Sequence, residues 1–223
     1  MKGKDKKKGK TELIKMENFL KNENSLKVDD KIEKNTKTFD KIMFLYTVAG
    51  KEVVSKLEII QQEFKLFYDY DVIDSIKTRI KSVDSIINKM KTKDLELTYQ
   101  DMIENINDIA GVRVICPLKK DVFSIINLIR QMPNIRVIKE KDYITKPKKS
   151  GYSSYHLIVE VPVNVLHKII YVKVEIQIRT MAMDFWASLE HKMIYKPQTE
   201  ISKSASRELV SCARAIYRLD NKL

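Results

Sequence analysis

Apolar residues recur at helical spacing from Phe39 to about Tyr70, with Ile42, Leu45, Tyr46, Ala49, Val53, Leu57, Ile60, Phe64 and Phe67 on one stripe. The pattern predicts one long helix, or two joined near Gly50. In "DSIKTRIKS" (74–82) Ile76 and Ile80 sit among basic residues, as expected of a short strand or turn, and "VDSIINKMKTKD" and "TYQDMIENI" return to helical spacing. "DIAGVRVIC" (108–116) is a β-branched run ended by Pro117, the pattern of a buried strand. "DVFSIINLIRQM" places Val122, Ile125, Ile126 and Ile129 on one helical face and stops at Pro133. "NIRVIKEKDYI", "SSYHLIVEVPV" and "IIYVKVEIQIRT" read as strands, the last two separated by "NVLHK". Two helices follow, "MAMDFWASLEHKMIY" and "SASRELVSCARAIYRLDNKL".

Four or five strands interleaved with helices make an α/β or α+β domain. Their order is not strictly βαβ, so the sheet is expected to be mixed, with a helical flank at each end. A chain of 223 residues with 43% hydrophobic content can build such a core. The expected organisation is a basic, flexible extension (1–37), a helical flank (38–72), a core (73–200) and a C-terminal helix (201–223). Net charge is +12, and residues 1–10 alone hold six lysines against one aspartate. Such an arm is ordinarily solvated, and its functional reading is weak attraction to RNA or another polyanion. Two cysteines and no apolar leader at the N-terminus point to the cytoplasm. The longest apolar run, "IMFLYTVA", falls far short of the roughly 20 residues that span a bilayer, so no membrane insertion is expected.

Candidate chemistry begins with the strand 171–179. Alternation puts Val172, Val174, Ile176 and Ile178 on one face and Lys173, Glu175, Gln177 and Arg179 on the other. For an arbitrary strand the polar face is solvated surface. Asp108, however, lies at the lip of a buried run, and Asp108 and Glu175 together could share one Mg²⁺, which takes oxygen ligands. No Walker loop is present, and three histidines with two cysteines form no zinc-binding pattern. Bound phosphates would therefore rely on side-chain cations. "KPKKSGYSSYH" (146–156) offers Lys146, Lys148 and Lys149 beside Gly151 and Tyr152, combining charge-assisted donors with a ring on which a base can stack. Read blandly, it is a solvated surface loop. Arg79 and Arg113 can stack on a second base as lysine cannot. Asp108 and Arg113 have opposite parity: either Gly111 marks a bulge or close backbone approach, or only one of the pair enters the site.

"RIKS" (79–82), "DIAGVRVIC", "DYI" with "KPKKSGYSSYH", "VEIQIRT" (174–180) and "DFWASLEHKMIYK" (184–196) together resemble the small alarmone synthetases, stand-alone relatives of the RelA/SpoT synthetase domain. The resemblance runs over about residues 40–220. It implies a nucleotidyltransferase-like fold and transfer of the β,γ-pyrophosphate of ATP to the 3′-hydroxyl of GDP or GTP, giving AMP and ppGpp or pppGpp. By the same resemblance Asp108 and Glu175 bind Mg²⁺, and one of them, Glu175 ahead of Asp108, takes the hydroxyl proton. Arg79 and Arg113 clamp adenine, and Lys81 and Ser85 meet the ATP phosphates. Tyr152 stacks on guanine, Lys146, Lys148 and His156 line the acceptor phosphates, and Gln177 lies by the acceptor ribose. Ser153 departs from the family pattern, which commonly has Arg there. The resemblance also implies tetramers built through flanking helices, with allosteric alarmone binding. It implies synthesis without hydrolysis, since the hydrolytic relatives use a His-Asp pair absent here. Two other readings fit parts of the pattern: an RNA-binding regulatory protein, and an RNA-end nucleotidyltransferase on the same fold.

Overall fold

The computed structural model describes residues 12–16, 32–194 and 203–222. The lysine run at the start of the basic extension and the segment 195–202 lie outside the described residues. Six strands are described: β1 (Glu12–Lys15), β2 (Ser75–Ile80), β3 (Ala110–Cys116), β4 (Arg136–Asp142), β5 (Tyr155–Val165) and β6 (Lys168–Thr180). The helices are α1 (Ile32–Tyr68), α2 (Val83–Thr92), α3 (Tyr99–Asn105), α4 (Lys119–Gln131), α5 (Met181–Ile194) and α6 (Lys203–Asp220).

The sheet is mixed, in the order β2-β3-β6-β5-β4. β3 runs parallel to β6, and the other neighbouring pairs along that path are antiparallel. β1 pairs parallel with the first residues of β6, upstream of the stretch that β3 uses. One strand more than expected is described, because β1 falls within the stretch read as an extension. "SIKTRI" is a strand, since the edge of β3 supplies its partners. The "NVLHK" connection shrinks to two turn residues, Leu166 and His167, at φ 47° and 64°. Two successive positive φ values suit the right-handed twist of a tight hairpin.

α1 is a single helix that starts before Phe39 and passes straight through Gly50. Its buried Ile42, Leu45, Tyr46, Ala49, Val53 and Leu57 lie on the apolar face of the sheet. α4 joins it there through Val122, Ile125, Ile126 and Ile129. Burying a side chain of this size stabilises by about 1.5–3 kcal/mol, so the core leaves the opposite face free to carry polar groups. α5 starts directly where β6 ends. Thr180 Oγ1 accepts from Met183 N at 3.1 Å and donates to Asp220 Oδ2 at 2.7 Å, which ties α6 to the end of the central strand.

Candidate functional site

Strand register assembles the polar face. Arg79 pairs with Gly111 and Gly111 with Glu175, while Lys77 pairs with Arg113, Arg113 with Gln177 and Gln177 with His156. These two rows are neighbours on one face. A cavity of about 130 Å³ opens there, lined among others by Arg79, Asp108, Gly111, Arg113, Glu175 and Gln177.

The parity conflict between Asp108 and Arg113 resolves without a bulge, since the register runs continuously through Gly111. Asp108 precedes the first residue of β3, so strand alternation does not govern it. Gly111 marks no tight approach either, for a Cβ there would lie 3.7 Å from Arg79 Cγ, an ordinary van der Waals contact.

Asp108 Oδ2 accepts from Lys81 Nζ at 2.9 Å and from Lys89 Nζ at 2.7 Å. Burial pushes its pKa up, but the hydrogen bonds and charges of Lys89 and Lys81 more than offset this and hold the carboxyl below its ordinary range. Its Oδ1 is buried and without a hydrogen-bond partner. Glu175 accepts from Gln177 Nε2 at 2.7 Å, and its Oε1 lies 3.2 Å from His156 Nδ1. It too is held low: burial raises its pKa, and His156 and Gln177 outweigh both that and the repulsion of Asp108. Among the described residues no three His, Cys, Asp or Glu side chains converge as a metal cluster. Two ionised carboxylates, one with an orphaned buried oxygen, nonetheless fit a hard divalent ion that completes its shell with water and phosphate.

The second half of the site is the β4–β5 loop. Asp142 anchors its start by accepting from Ile144 N, Thr145 N and Thr145 Oγ1 at 2.8, 2.9 and 2.6 Å. Lys148 and Tyr152 close a turn through Lys148 N to Tyr152 O at 3.0 Å. Gly151 sits in that turn at φ 95°, so tightly against α6 that a Cβ would lie 2.3 Å from Ala213 Cβ. Tyr152 is therefore delivered to the end of the polar face. Its hydroxyl lies 2.9 Å from His156 Nε2 and accepts from Arg179 Nη2 at 2.5 Å. Lys148 Nζ lies 4.8 Å from the Tyr152 ring centroid and 4.9 Å from that of Tyr143. A separate cavity of about 560 Å³ lies between this loop and α5–α6, lined by apolar side chains such as Met183, Trp186, Ala213 and Tyr217. It contains neither Asp108 nor Glu175.

Arg79, Asp108, Arg113, Glu175 and Gln177 thus share one cavity, Lys81 joins through Asp108, and His156 and Tyr152 join through Glu175. Ser85 lies at the start of α2, its hydroxyl accepting from Ser82 Oγ at 2.8 Å, and does not line the cavity. Lys146 is exposed and also lies off it. Ser153 Oγ is buried without a hydrogen-bond partner. Trp186 is core, its Nε1 donating to Leu209 O at 3.0 Å. Three participants escaped the sequence reading in these roles. Lys89 follows Ser85 by one helical turn, a spacing that could have signalled it. Arg179 was placed on the polar face without a function; it is 3% exposed and donates to Tyr152, Gln177, Ser154 and Asp184. Asp184, in the first turn of α5, carries no local signal.

Paired acids among guanidiniums and lysines, beside an aromatic loop, suit polyphosphate nucleotides. The chain belongs to the RelA/SpoT family: residues 78–200 match the region found in RelA/SpoT proteins. It is 45% identical over 181 residues to the GTP pyrophosphokinase YwaC of Bacillus subtilis (strain 168), spanning 81% of this chain and 86% of that protein. The small alarmone synthetase 1 from Bacillus subtilis bound to its product pppGpp superposes with a TM-score of 0.77 at 34% identity, covering 83% of this chain and 94% of that one. The same synthetase bound to AMPCPP gives 0.70 at 30% identity, covering 83% and 93%.

Proposed function

We propose that this protein is a (p)ppGpp synthetase that transfers the β,γ-pyrophosphate of ATP to the 3′-hydroxyl of GDP or GTP. The bond between the α- and β-phosphates breaks, a bond from the 3′-oxygen to the β-phosphorus forms, and AMP leaves. The observation that carries this reading is the convergence on one cavity of Arg79, Arg113, Glu175 and Gln177 from three strands and of Asp108 from the segment just before β3. Family membership agrees with it.

Arg79 and Arg113 hold adenine between planar guanidiniums. Lys81 and Lys89 turn from Asp108 to the ATP phosphates once these arrive, which frees Asp108 Oδ2. Asp108 and Glu175 would hold Mg²⁺, whose chemistry is to neutralise charge building on the transferred phosphates. Glu175 takes the 3′-hydroxyl proton, a role open to a carboxylate kept ionised. Gln177, tied to both Glu175 and Arg179, orients the acceptor ribose. Guanine stacks on Tyr152 by displacing the Lys148 ammonium from the ring. Lys148, with Lys146 and His156, then serves the acceptor phosphates.

Exposed Phe44, Ile59, Leu66 and Phe67 on α1 give the chain a surface for self-assembly into tetramers; light scattering showing a monomer at working concentration would remove that part. No described helix is long and apolar enough to cross a membrane, in keeping with work in the cytoplasm.

The test is incubation with γ-labelled ATP, Mg²⁺ and GDP or GTP. Label should appear on a guanosine tetra- or pentaphosphate, with AMP as the second product. Release of pyrophosphate, or RNA binding without transfer, would overturn the reading.

A further inference from the structure

Arg113 and Arg179 lie on neighbouring strands of the same face, Arg113 paired with Gln177 and Arg179 with Ile115. Two guanidiniums this close repel in a poorly solvated site. Burial lowers the pKa of Arg113, the charge of Arg179 lowers it further, and Asp184 opposes both. The compensation is shared: Asp184 Oδ1 lies 3.2 Å from Arg113 Nη1 and 3.2 Å from Arg179 Nη1. One carboxylate oxygen thus serves a cation from each half of the site.

What the two cations do elsewhere differs. Arg113 is 35% exposed at its side chain and lines the cavity with Arg79. Arg179 is 4% exposed at its side chain. Its Nη2 donates to Tyr152 Oη at 2.5 Å and to Gln177 Oε1 at 2.9 Å, its Nε donates to Ser154 Oγ at 3.1 Å, and its Cζ lies 5.1 Å from the Tyr152 ring centroid. Asp184 therefore joins an arginine that faces the ATP cavity to the arginine that fixes the acceptor tyrosine.

We propose that Asp184 is a positioning residue coupling the two nucleotide pockets, so that filling the ATP side raises affinity on the acceptor side. This rests on the assignment of the pockets made above. When Arg113 turns onto a purine, Asp184 is left to Arg179 alone. The Arg179–Asp184 pair then gains its full Coulombic partner, and the guanidinium is held where it orients Tyr152 and Gln177. Linkage makes the effect reciprocal: a bound acceptor tightens ATP binding by the same factor.

The experiment is calorimetric titration of the full chain with GDP, in Mg²⁺, with and without saturating AMPCPP. In the wild type AMPCPP should tighten GDP binding by about 5-fold or more, the lower end of ordinary coupling between sites. Asp184→Asn removes the charge at constant shape and should bring that ratio close to one, and Asp184→Glu should restore part of it. A side chain with a purely structural role would lower thermal stability in the variant and leave the ratio alone. An unchanged ratio in Asp184→Asn, or no ratio in the wild type, overturns the proposal. Should Asp184→Asn not fold, Arg179→Lys tests the same link, since lysine keeps the charge beside Asp184 and loses the fork that reaches Tyr152; a full ratio there also overturns it. A wild type that makes no labelled alarmone refutes the assigned function. A productive wild type with the ratio intact in the variants refutes this coupling alone.

Discussion

The two halves of the site are made of different material. The half assigned to ATP and to the reacting groups is built on strands: Arg79, Gly111, Arg113, Glu175 and Gln177 occupy adjacent rows of one sheet face, in a register that the core beneath does not let slip. The half assigned to the acceptor is a loop whose shape comes from the Asp142 turn, Gly151 and the packing of that glycine on α6. In the first half the cations Lys81 and Lys89 rest on a carboxylate, and in the second Lys148 rests on aromatic rings. On this assignment, chemistry that tolerates little error of placement sits on the sheet, and recognition of the acceptor sits on a loop, where binding residues concentrate.

The sharpest way to break this comparison is at the acids. Glu175→Gln and Asp108→Asn should each lower the rate of label transfer by about 10²- to 10⁴-fold, the range for removing a positioned proton acceptor or an equivalent charge. Both variants should remain folded, because the apolar face carries the core. A rate within 10-fold of wild type for Glu175→Gln would take the base away from this residue.

The next effect belongs to the loop and should split the kinetic constants. Tyr152→Ala removes a stack ordinarily worth about 1–3 kcal/mol, so the acceptor KM should rise by about 5- to 150-fold. The ATP KM should rise far less, by about 5-fold at most, the reciprocal coupling that is lost with the stack. Equal rises in both constants would mean that the two halves are not separable and that Tyr152 braces the whole site through Arg179 and His156.

The same division governs what the sequence could disclose. The strand-built half was legible: period-two alternation in 171–179 places Glu175 and Gln177 on one face, and β-branched density in 110–116 marks the interior strand beside it. Asp108 was found as well, although alternation set it against Arg113; the conflict vanished because the residue lies outside the strand that the rule describes. Composition and motif order singled out the loop as a candidate segment beside the strands. Its geometry was not legible, since nothing local says that Gly151 meets Ala213 or that Lys148 covers Tyr152. Asp184 and Arg179 were missed in their roles for the same reason. Their partnership spans the junction of β6 and α5, five residues apart, where the period of two gives way to the period of 3.6 and neither pattern relates the two positions. β1 was read as extension because four residues between charged stretches carry little pattern, and its pairing depends on a free edge at the start of β6.

The smallest effect concerns the anchor of the loop. The Asp142 carboxyl is pushed up by burial, yet the hydrogen bonds from Thr145 and Ile144 outweigh this and hold its pKa below the ordinary value. A carboxyl depressed in the folded state contributes stability that is full above its unfolded value, near 4, and that disappears as pH falls through the folded value. Asp142→Ala should therefore lower Tm at pH 7 by about 2–4 °C, corresponding to about 1 kcal/mol in a chain of this size, once solvent screening of a partly exposed group is allowed for. The gap between variant and wild type should close as the pH of the melt is lowered below the ordinary carboxylate range, where the wild-type carboxyl also becomes protonated. The acceptor KM of the variant should rise while its ATP KM stays level, because the turn that Asp142 holds leads to Lys148 and Tyr152 and touches no strand of the ATP side. A gap in Tm that persists unchanged at low pH would show that Asp142 acts through packing, and the loop would then owe its shape to Gly151 and α6 alone.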